Sequence, residues 1–550
     1  MHRNNVPKSL IALLAAAVLA LPLSVGPVSA APASAHVDDE VTQRLQTTPE
    51  SGLIPVIIEA AADATSQGQG RAQRAESRVR GTGGRVVGSS SLLGASVAEL
   101  TPAQIRTLAS DPAIGRIHFD AAVKAASVNG SDGSAPGTTP VVFQQTIGAS
   151  EVWQSGDTGQ GVTVAVLDTG IDNNASAFAG RVKARVDLID PAHPAQGDPA
   201  GHGTHVAGII AASHTFASPG VAPDASLVSV RVLNQNGNSR VSTVIRGLEW
   251  TIAHKNALGI RVVVMALGAP ATSSYRDDPL AAAAEMAWRS GLVVVTAAGN
   301  GGPSARTIAT PGIDPLVLTV GAADESGTPS TADDVIPSWS SQGPTADRVA
   351  KPDVVAPGRR IVSVRVPGST VDRLLPTHIE GPQTIRLSGT SEATAVTAGA
   401  AALLLERRER LDPDQVKALL VRSATHLANA SNGAQGSGEI NVAQALKAPV
   451  PEHAHQTSRP GDALLRLLAG LGRHALAKAL QVNWDQVNWD QVNWDQVNWD
   501  QVNWDQVNWD QVNWDQVNWD QVNWDQVNWD QVNWDQVNWD QVNWDQINWD

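Results

Sequence analysis

Five stretches between residues 147 and 446 are dominated by β-branched and apolar residues without strict alternation: V-T-V-A-V-L (162–167), S-L-V-S-V-R-V-L (226–233), R-V-V-V-M-A-L (261–267), L-V-V-V-T-A-A (292–298) and L-V-L-T-V-G-A (316–322). A strand with one wet face alternates apolar and polar side chains, whereas a strand covered on both faces has no polar side to show. Helical stretches such as T-H-V-A-G-I-I-A-A (204–212) and E-A-T-A-V-T-A-G-A-A-A-L-L-L-E-R (392–407) lie between and after these runs. Buried strands alternating with helices predict a mainly parallel sheet with helices on both faces, a three-layer α/β sandwich. A region of about 300 residues is long enough to bury its core.

Three segments in this region carry the residue types of a nucleophilic relay: V-A-V-L-D-T-G-I-D (164–172), G-H-G-T-H-V-A-G (201–208) and S-G-T-S-E-A-T (388–394). A serine hydroxyl is a weak nucleophile at neutral pH, so it needs an imidazole base, and the imidazole needs a carboxylate to fix its tautomer. Asp168, His202 and Ser391 supply these roles in the order Asp, His, Ser. An α/β-hydrolase is excluded, because it runs Ser, acid, His and sets the serine in G-x-S-x-G, where this chain has G-T-S-E-A (389–393). Asp168 ends a buried strand, where open α/β sheets build their sites. Asp172 reads as structural and His205 as a packing residue. A zinc pair from His202 and His205 lacks both H-E-x-x-H and a third ligand.

In their order these segments resemble the subtilisin-like serine proteases, and the likeness extends from about Gly148 to Leu446. It implies that 226–250 forms a strand, a substrate-edge segment and a helix, and that V-V-V-M-A-L-G (262–268) and V-V-V-T-A-A-G-N (293–300) wall the specificity pocket. By the same resemblance Asn300 is the oxyanion residue, together with the backbone N–H of Ser391. Substrate is expected as an extended strand between Ser239, Arg240 and Val241 on one side and Ala266, Leu267 and Gly268 on the other. Backbone pairing of that kind selects little for sequence. The pocket floor, Thr296 with Ala297, Ala298 and Gly299, is small and uncharged, as a broad endopeptidase requires.

The chain departs from the family at several places. Glu392 and Ala395 stand where Met and Pro are usual after the nucleophile, and Val264 and Ala266 where Asn and Ser are usual. Alanine is the better helix former. The carboxylate of Glu392 is expected to raise the His202 pKa and to oppose charge on the oxyanion.

The first thirty residues have a basic start, an apolar run too short to span a membrane, and A-x-A-like cleavage options after Ala30 or Ala35: a secretory signal peptide. There is no cysteine, so the exported protein has no disulfide framework. Residues 53–123 predict a strand, a polar helix, two strands, a helix opened by Thr101 and Pro102, and a last strand, a ferredoxin-like α+β order. This unit resembles the inhibitory propeptide of the family. The Gly/Ser/Pro-rich segment that follows is read as a linker over 124–142, with maturation cleavage between Val123 and Val142. The catalytic domain then covers 143–447, a linker 448–461 and an amphipathic helix 462–480. That helix either packs on the body or contacts a membrane surface.

Residues 481–550 are fourteen copies of Q-V-N-W-D, the last with Ile547 for Val. A five-residue period spirals the tryptophans around a helix, so the tail is either a β-solenoid or a disordered acidic segment. It accounts for fourteen of the fifteen excess negative charges, and nothing in the chain is basic enough to bind nucleic acid. The tail suits binding to a surface, to a polymer or to itself. The resemblance leaves room for structural calcium without pointing to a site, and residues 324–334 read as a surface loop without EF-hand spacing.

The reading is therefore a secreted serine endopeptidase that acts on proteins and peptides through an acyl-enzyme. It needs no cofactor for chemistry, and its own propeptide is its first partner. The alternative is a surface-associated adhesive or structural protein with a vestigial protease domain.

Overall fold

The computed structural model describes residues 35–61, 68–127, 140–178, 180–195 and 197–451, all within the unit Met1–Leu480. The signal peptide, the 462–480 helix and the repeat tail lie outside the described residues.

The N-terminal part has strand β1 (Ile54–Ala60), helix α1 (Gly68–Gly81), β2 (Arg85–Ser90), β3 (Ala95–Leu100), α2 (Pro102–Ala109) and β4 (Ile114–Phe119). The four strands lie in the order β4-β1-β3-β2, with each neighbouring pair antiparallel. Helix α2 starts where the sequence says it should. Thr101 caps it, Gln104 Oε1 accepts the Thr101 N–H in return, and Pro102 fills the first turn, where no N–H partner is needed. Val56, Ile58, Val79, Leu100, Ile105 and Ile117 are buried in this unit's own core, while Ile57, Leu93 and Ala95 join the core of the large domain. A short strand at His36–Val37, which pairs with β4, and a helix at Asp39–Thr47 precede the unit, ahead of its expected start.

The large domain is built on seven strands: β6 (Thr163–Asp168), β7 (Val182–Asp187), β8 (Ser226–Arg231), β10 (Ile260–Met265), β12 (Val293–Ala297), β13 (Leu318–Ala323) and β14 (Val354–Pro357). Their order is β14-β13-β12-β10-β6-β8-β7 and every neighbouring pair is parallel. The five β-branched runs form β6, β8, β10, β12 and β13. Helix α3 (His202–Ala211) and helix α6 (Thr390–Arg407) pack against each other and against the sheet, and α4 (Val241–Leu258) pairs with α5 (Pro279–Arg289). Residues Thr390 to Leu405 of α6 are all buried, which a helix made mostly of small side chains allows.

The expected linker begins later than residue 124. Strand β5 (Ala122–Ala125) lies between the short strands β9 (Asn238–Arg240) and β11 (Leu267–Gly268), antiparallel to both, and Ala126 and Ser127 continue into the site. Pairing on both edges orders this segment, and those partners lie more than a hundred residues away in sequence.

Candidate active site

Asp168 ends β6 and His202 begins α3. His202 Nδ1–H donates to Asp168 Oδ1 at 2.7 Å, an oxygen that also accepts the N–H of Thr169. Both side chains are buried. A small residue at 203 is needed for this contact, since a Cβ there would stand 2.3 Å from Gly170 O and 3.1 Å from Asp168 Cβ. The start of α3 is held by Asp198, which sequence reasoning did not single out. Its carboxylate accepts the N–H groups of Ala200, Gly201 and Thr204 and the hydroxyls of Thr169 and Thr204. An Asp ahead of a helical run is a capping signal, but its link to Thr169 exists only in the fold.

Ser391 sits in the first turn of α6, where unpaired N–H groups and the helix dipole favour negative charge. Asn300 Oδ1 accepts both the N–H and the hydroxyl of Thr390, each at 3.0 Å. That fixes the amide so that Asn300 Nδ2 donates to Ala126 O at 2.6 Å. The Ser391 N–H donates to the same oxygen at 3.2 Å. Two donors from two elements thus converge on one peptide carbonyl. Ser391 Oγ donates to Ala266 O at 2.8 Å, so its proton is not directed at His202. The Nε2 of His202 lies 2.9 Å from Ser127 Oγ instead.

The segment ahead of Ala126 is held by backbone. Ser239 pairs with Val123 and Arg240 with Ala122, while Leu267 pairs with Ala125 and Gly268 with Lys124. The Val241 N–H donates to Ala121 O, and the Ala126 N–H donates to Ala266 O at 3.1 Å. All six expected edge residues therefore border this strand. Of the expected pocket-floor residues, Ala297 pairs with Val320, and the Ala298 N–H donates to Val320 O while its carbonyl accepts the Ala309 N–H. The Gly299 N–H donates to Thr390 Oγ1. Side-chain contacts also anchor the N-terminal unit to the domain, among them the ion pair of Arg116 with Asp277 at 2.7 Å. Asp120 accepts the N–H and hydroxyl of Ser242 at 2.9 and 2.7 Å, capping α4, whose own residue Arg240 makes no cap. Glu249, further along α4, accepts the N–H groups of Ser91 and Leu92 and the hydroxyls of Ser90 and Ser91.

Glu392 is fully buried next to Ser391 in the chain. Its Oε1 accepts the Ser127 hydroxyl at 2.9 Å, and its Oε2 has no hydrogen-bond partner. Burial pushes the Glu392 carboxyl up to about 7 against the opposing pull of His202. Burial alone would lower His202, but Asp168, Glu392 and Asp198 carry it up to about 9. His205 behaves as a packing residue. Its Nε2 faces the carbonyls of Ile361 and Ile385, each at 3.2 Å, and burial and then His202 push it down to about 3.

Residues 324–334 are not simply a surface loop. Asp324, Glu325 and Asp334 are buried, as is Glu439, and Arg359 and Arg360 bind Asp324 at 2.5 and 2.9 Å. Burial and the neighbouring carboxylates push Glu325 up to about 8. Among the described residues no group of three or more His, Asp or Glu side chains is arranged to hold a metal ion.

Residues 159–438 match the model of the subtilase family, peptidase family S8. The chain belongs to the subtilase family. This subtilase is 38% identical over 356 residues to the serine protease AprX of Bacillus subtilis, an alignment covering 63% of this chain and 77% of that protein. It is 34% identical over 350 residues to an alkaline protease of Alkalihalobacillus alcalophilus, covering 64% and 78%. Against subtilisin E of Bacillus subtilis it is 32% identical over 368 residues, covering 66% and 84%. In fold it is similar to fervidolysin from Fervidobacterium pennivorans, a keratinolytic enzyme related to subtilisin. The TM-score is 0.57 at 21% identity, over 76% of this chain and 64% of that one. The subtilase is a serine endopeptidase. Among its described residues no helix is long and apolar enough to cross a membrane.

Proposed function

We propose that this subtilase is exported as an inactive precursor and cuts itself between Ala126 and Ser127. The observation that carries the reading is the Ala126 carbonyl oxygen, held by Asn300 Nδ2 and the Ser391 N–H while the strand before it pairs with both edges of the cleft. Residues 35–126 thus act as an inhibitor lying in the substrate register, and the signal-like first thirty residues direct export.

For the cut, Ser391 Oγ turns from Ala266 O toward His202, and Nε2 takes its proton as Oγ attacks the Ala126 carbonyl carbon. The charge that develops on the Ala126 oxygen is met by Asn300 Nδ2 and the Ser391 N–H, already in place. Asp168 holds the imidazole in the required tautomer and stabilises the imidazolium. The proton passes from Nε2 to the Ser127 nitrogen, the C–N bond breaks, and Ala126 remains as an ester on Ser391 until water, deprotonated by His202, releases it. In the arrangement observed the Ser127 hydroxyl occupies the nitrogen that Ser391 needs, which holds the bound segment uncut until that contact opens. Proteins and peptides bound as extended strands follow the same path after the N-terminal unit has left. Secreted wild-type protein should lose this unit and label with a serine-directed phosphonate, and the Ser391→Ala protein should do neither. A wild type that does neither would leave the adhesive or structural role of the repeats as the function.

A further inference from the structure

We infer that Glu392 makes the cleft selective for a hydroxyl-bearing residue, Ser or Thr, immediately after the bond that is cut. The inference rests on the endopeptidase reading and on the register of residues 122–127.

The carboxylate is fully buried at the leaving side of the cleft. Its Oε1 accepts a hydrogen bond from the Ser127 hydroxyl at 2.9 Å, and its Oε2 has no hydrogen-bond partner. The facing imidazole nitrogen, His205 Nδ1, is 3.7 Å away, beyond hydrogen-bond range, and has no partner of its own. The residue after the cut bond therefore brings the donor this carboxylate uses. A buried acceptor left without its donor loses the full cost of its desolvation, which exceeds what a made hydrogen bond gains. An apolar side chain at that position imposes this cost, so selection works as much by penalising Val or Ala as by rewarding Thr or Ser. The hydroxyl also bridges Glu392 to His202 Nε2, 2.9 Å on its other side. One proton can then reside on either end of the bridge with the same contacts kept, and the hydroxyl serves in both arrangements as donor to one group and acceptor from the other.

Closeness of approach supports the assignment. A Cβ on Gly389 would stand 2.3 Å from Ala126 O, 2.8 Å from Ser127 Cα and 2.8 Å from Glu392 Oε2. The bare backbone there lets the chain run close enough for a short side chain to reach the carboxylate. Because the same hydroxyl competes with Ser391 for His202, its effect belongs in binding rather than in turnover.

The test is steady-state kinetics of the processed wild-type enzyme on peptides Val-Lys-Ala-Ala-Xaa-Val cut before Xaa, with Thr compared against its isostere Val and Ser against Ala. The hydroxyl peptides should show KM lower by about tenfold, the scale of a hydrogen bond to a charged group, with kcat no higher. In Glu392→Met the Val/Thr and Ala/Ser ratios of KM should fall to near one. Equal KM for Thr and Val in the wild type would overturn the inference and leave the endopeptidase standing. So would a ratio that survives in Glu392→Met, or a Lys peptide that binds tighter than Thr and so reveals a simple counter-charge. A wild type that cuts none of the peptides would overturn the endopeptidase reading as well. The wild-type comparison needs no variant to fold.

Discussion

The two sides of the Ala126–Ser127 bond are held by different chemistry. On the acyl side, five residues from Ala122 to Ala126 meet the protein chiefly through backbone groups on Ser239, Arg240, Ala266, Leu267 and Gly268. On the leaving side, the one described residue, Ser127, is engaged through its side chain by His202 and Glu392. Backbone pairing is available to almost any sequence, whereas a buried carboxylate asks for a donor. With the cut placed as proposed, this cleft is tolerant before the bond and demanding after it.

Asn300→Ala probes the acyl side at the reacting atom and carries the largest expected effect. It should lower kcat by about 10²- to 10³-fold with KM little changed, because the donor acts mainly on charge that develops in the transition state. Discrimination after the cut bond should survive it, and a parallel loss of discrimination would break the separation of the two sides. Next comes Val123→Ala in the uncleavable Ser391→Ala precursor. Val123 is fully buried in the large core, so two lost methyl groups should weaken docking of the N-terminal unit by about 2 kcal/mol, measured by denaturant unfolding. The exposed Lys124→Ala should fall within about 0.5 kcal/mol of the parent. In the same background Asp120→Ala removes the cap on α4 and should cost about 1 kcal/mol.

The smallest effect is a shift in pH. Charge on Glu392 raises the His202 pKa, together with Asp168 and Asp198, while His205 stays neutral above about 3. Removing one negative neighbour makes the imidazolium easier to deprotonate, so the rising limb of kcat/KM in Glu392→Gln should move to lower pH, by less than about one unit. A shift to higher pH would contradict the placement of Glu392 beside the base.

Much of this site could be read from the sequence because its parts are local. The five β-branched runs announced five of the seven parallel strands, since a strand buried on both faces must be apolar throughout. The other two, Val182–Asp187 and Val354–Pro357, are edge strands, where one neighbour suffices and the pattern is weaker. Asp168, His202, Ser391 and Asn300 each stand in a short string at the end of a strand or the start of a helix. What stayed hidden was long-range. Nothing in A-V-K-A-A-S separates a bound strand from the linker composition that follows, because its order comes from edges at 238–240 and 267–268. Asp120 is not singled out by the sequence, because its capping of α4 through Ser242 joins residues 122 positions apart. The acidic loop at 324–334 reads as wet because the arginines that bury Asp324 come from 359 and 360.

The most direct measurement is the N-terminal sequence of the earliest large product when freshly folded wild-type precursor processes itself, with the Ser391→Ala precursor alongside. The account predicts a product beginning at Ser127 from the wild type and an intact chain from Ser391→Ala. A first product beginning elsewhere, or the same cut in Ser391→Ala, would contradict it.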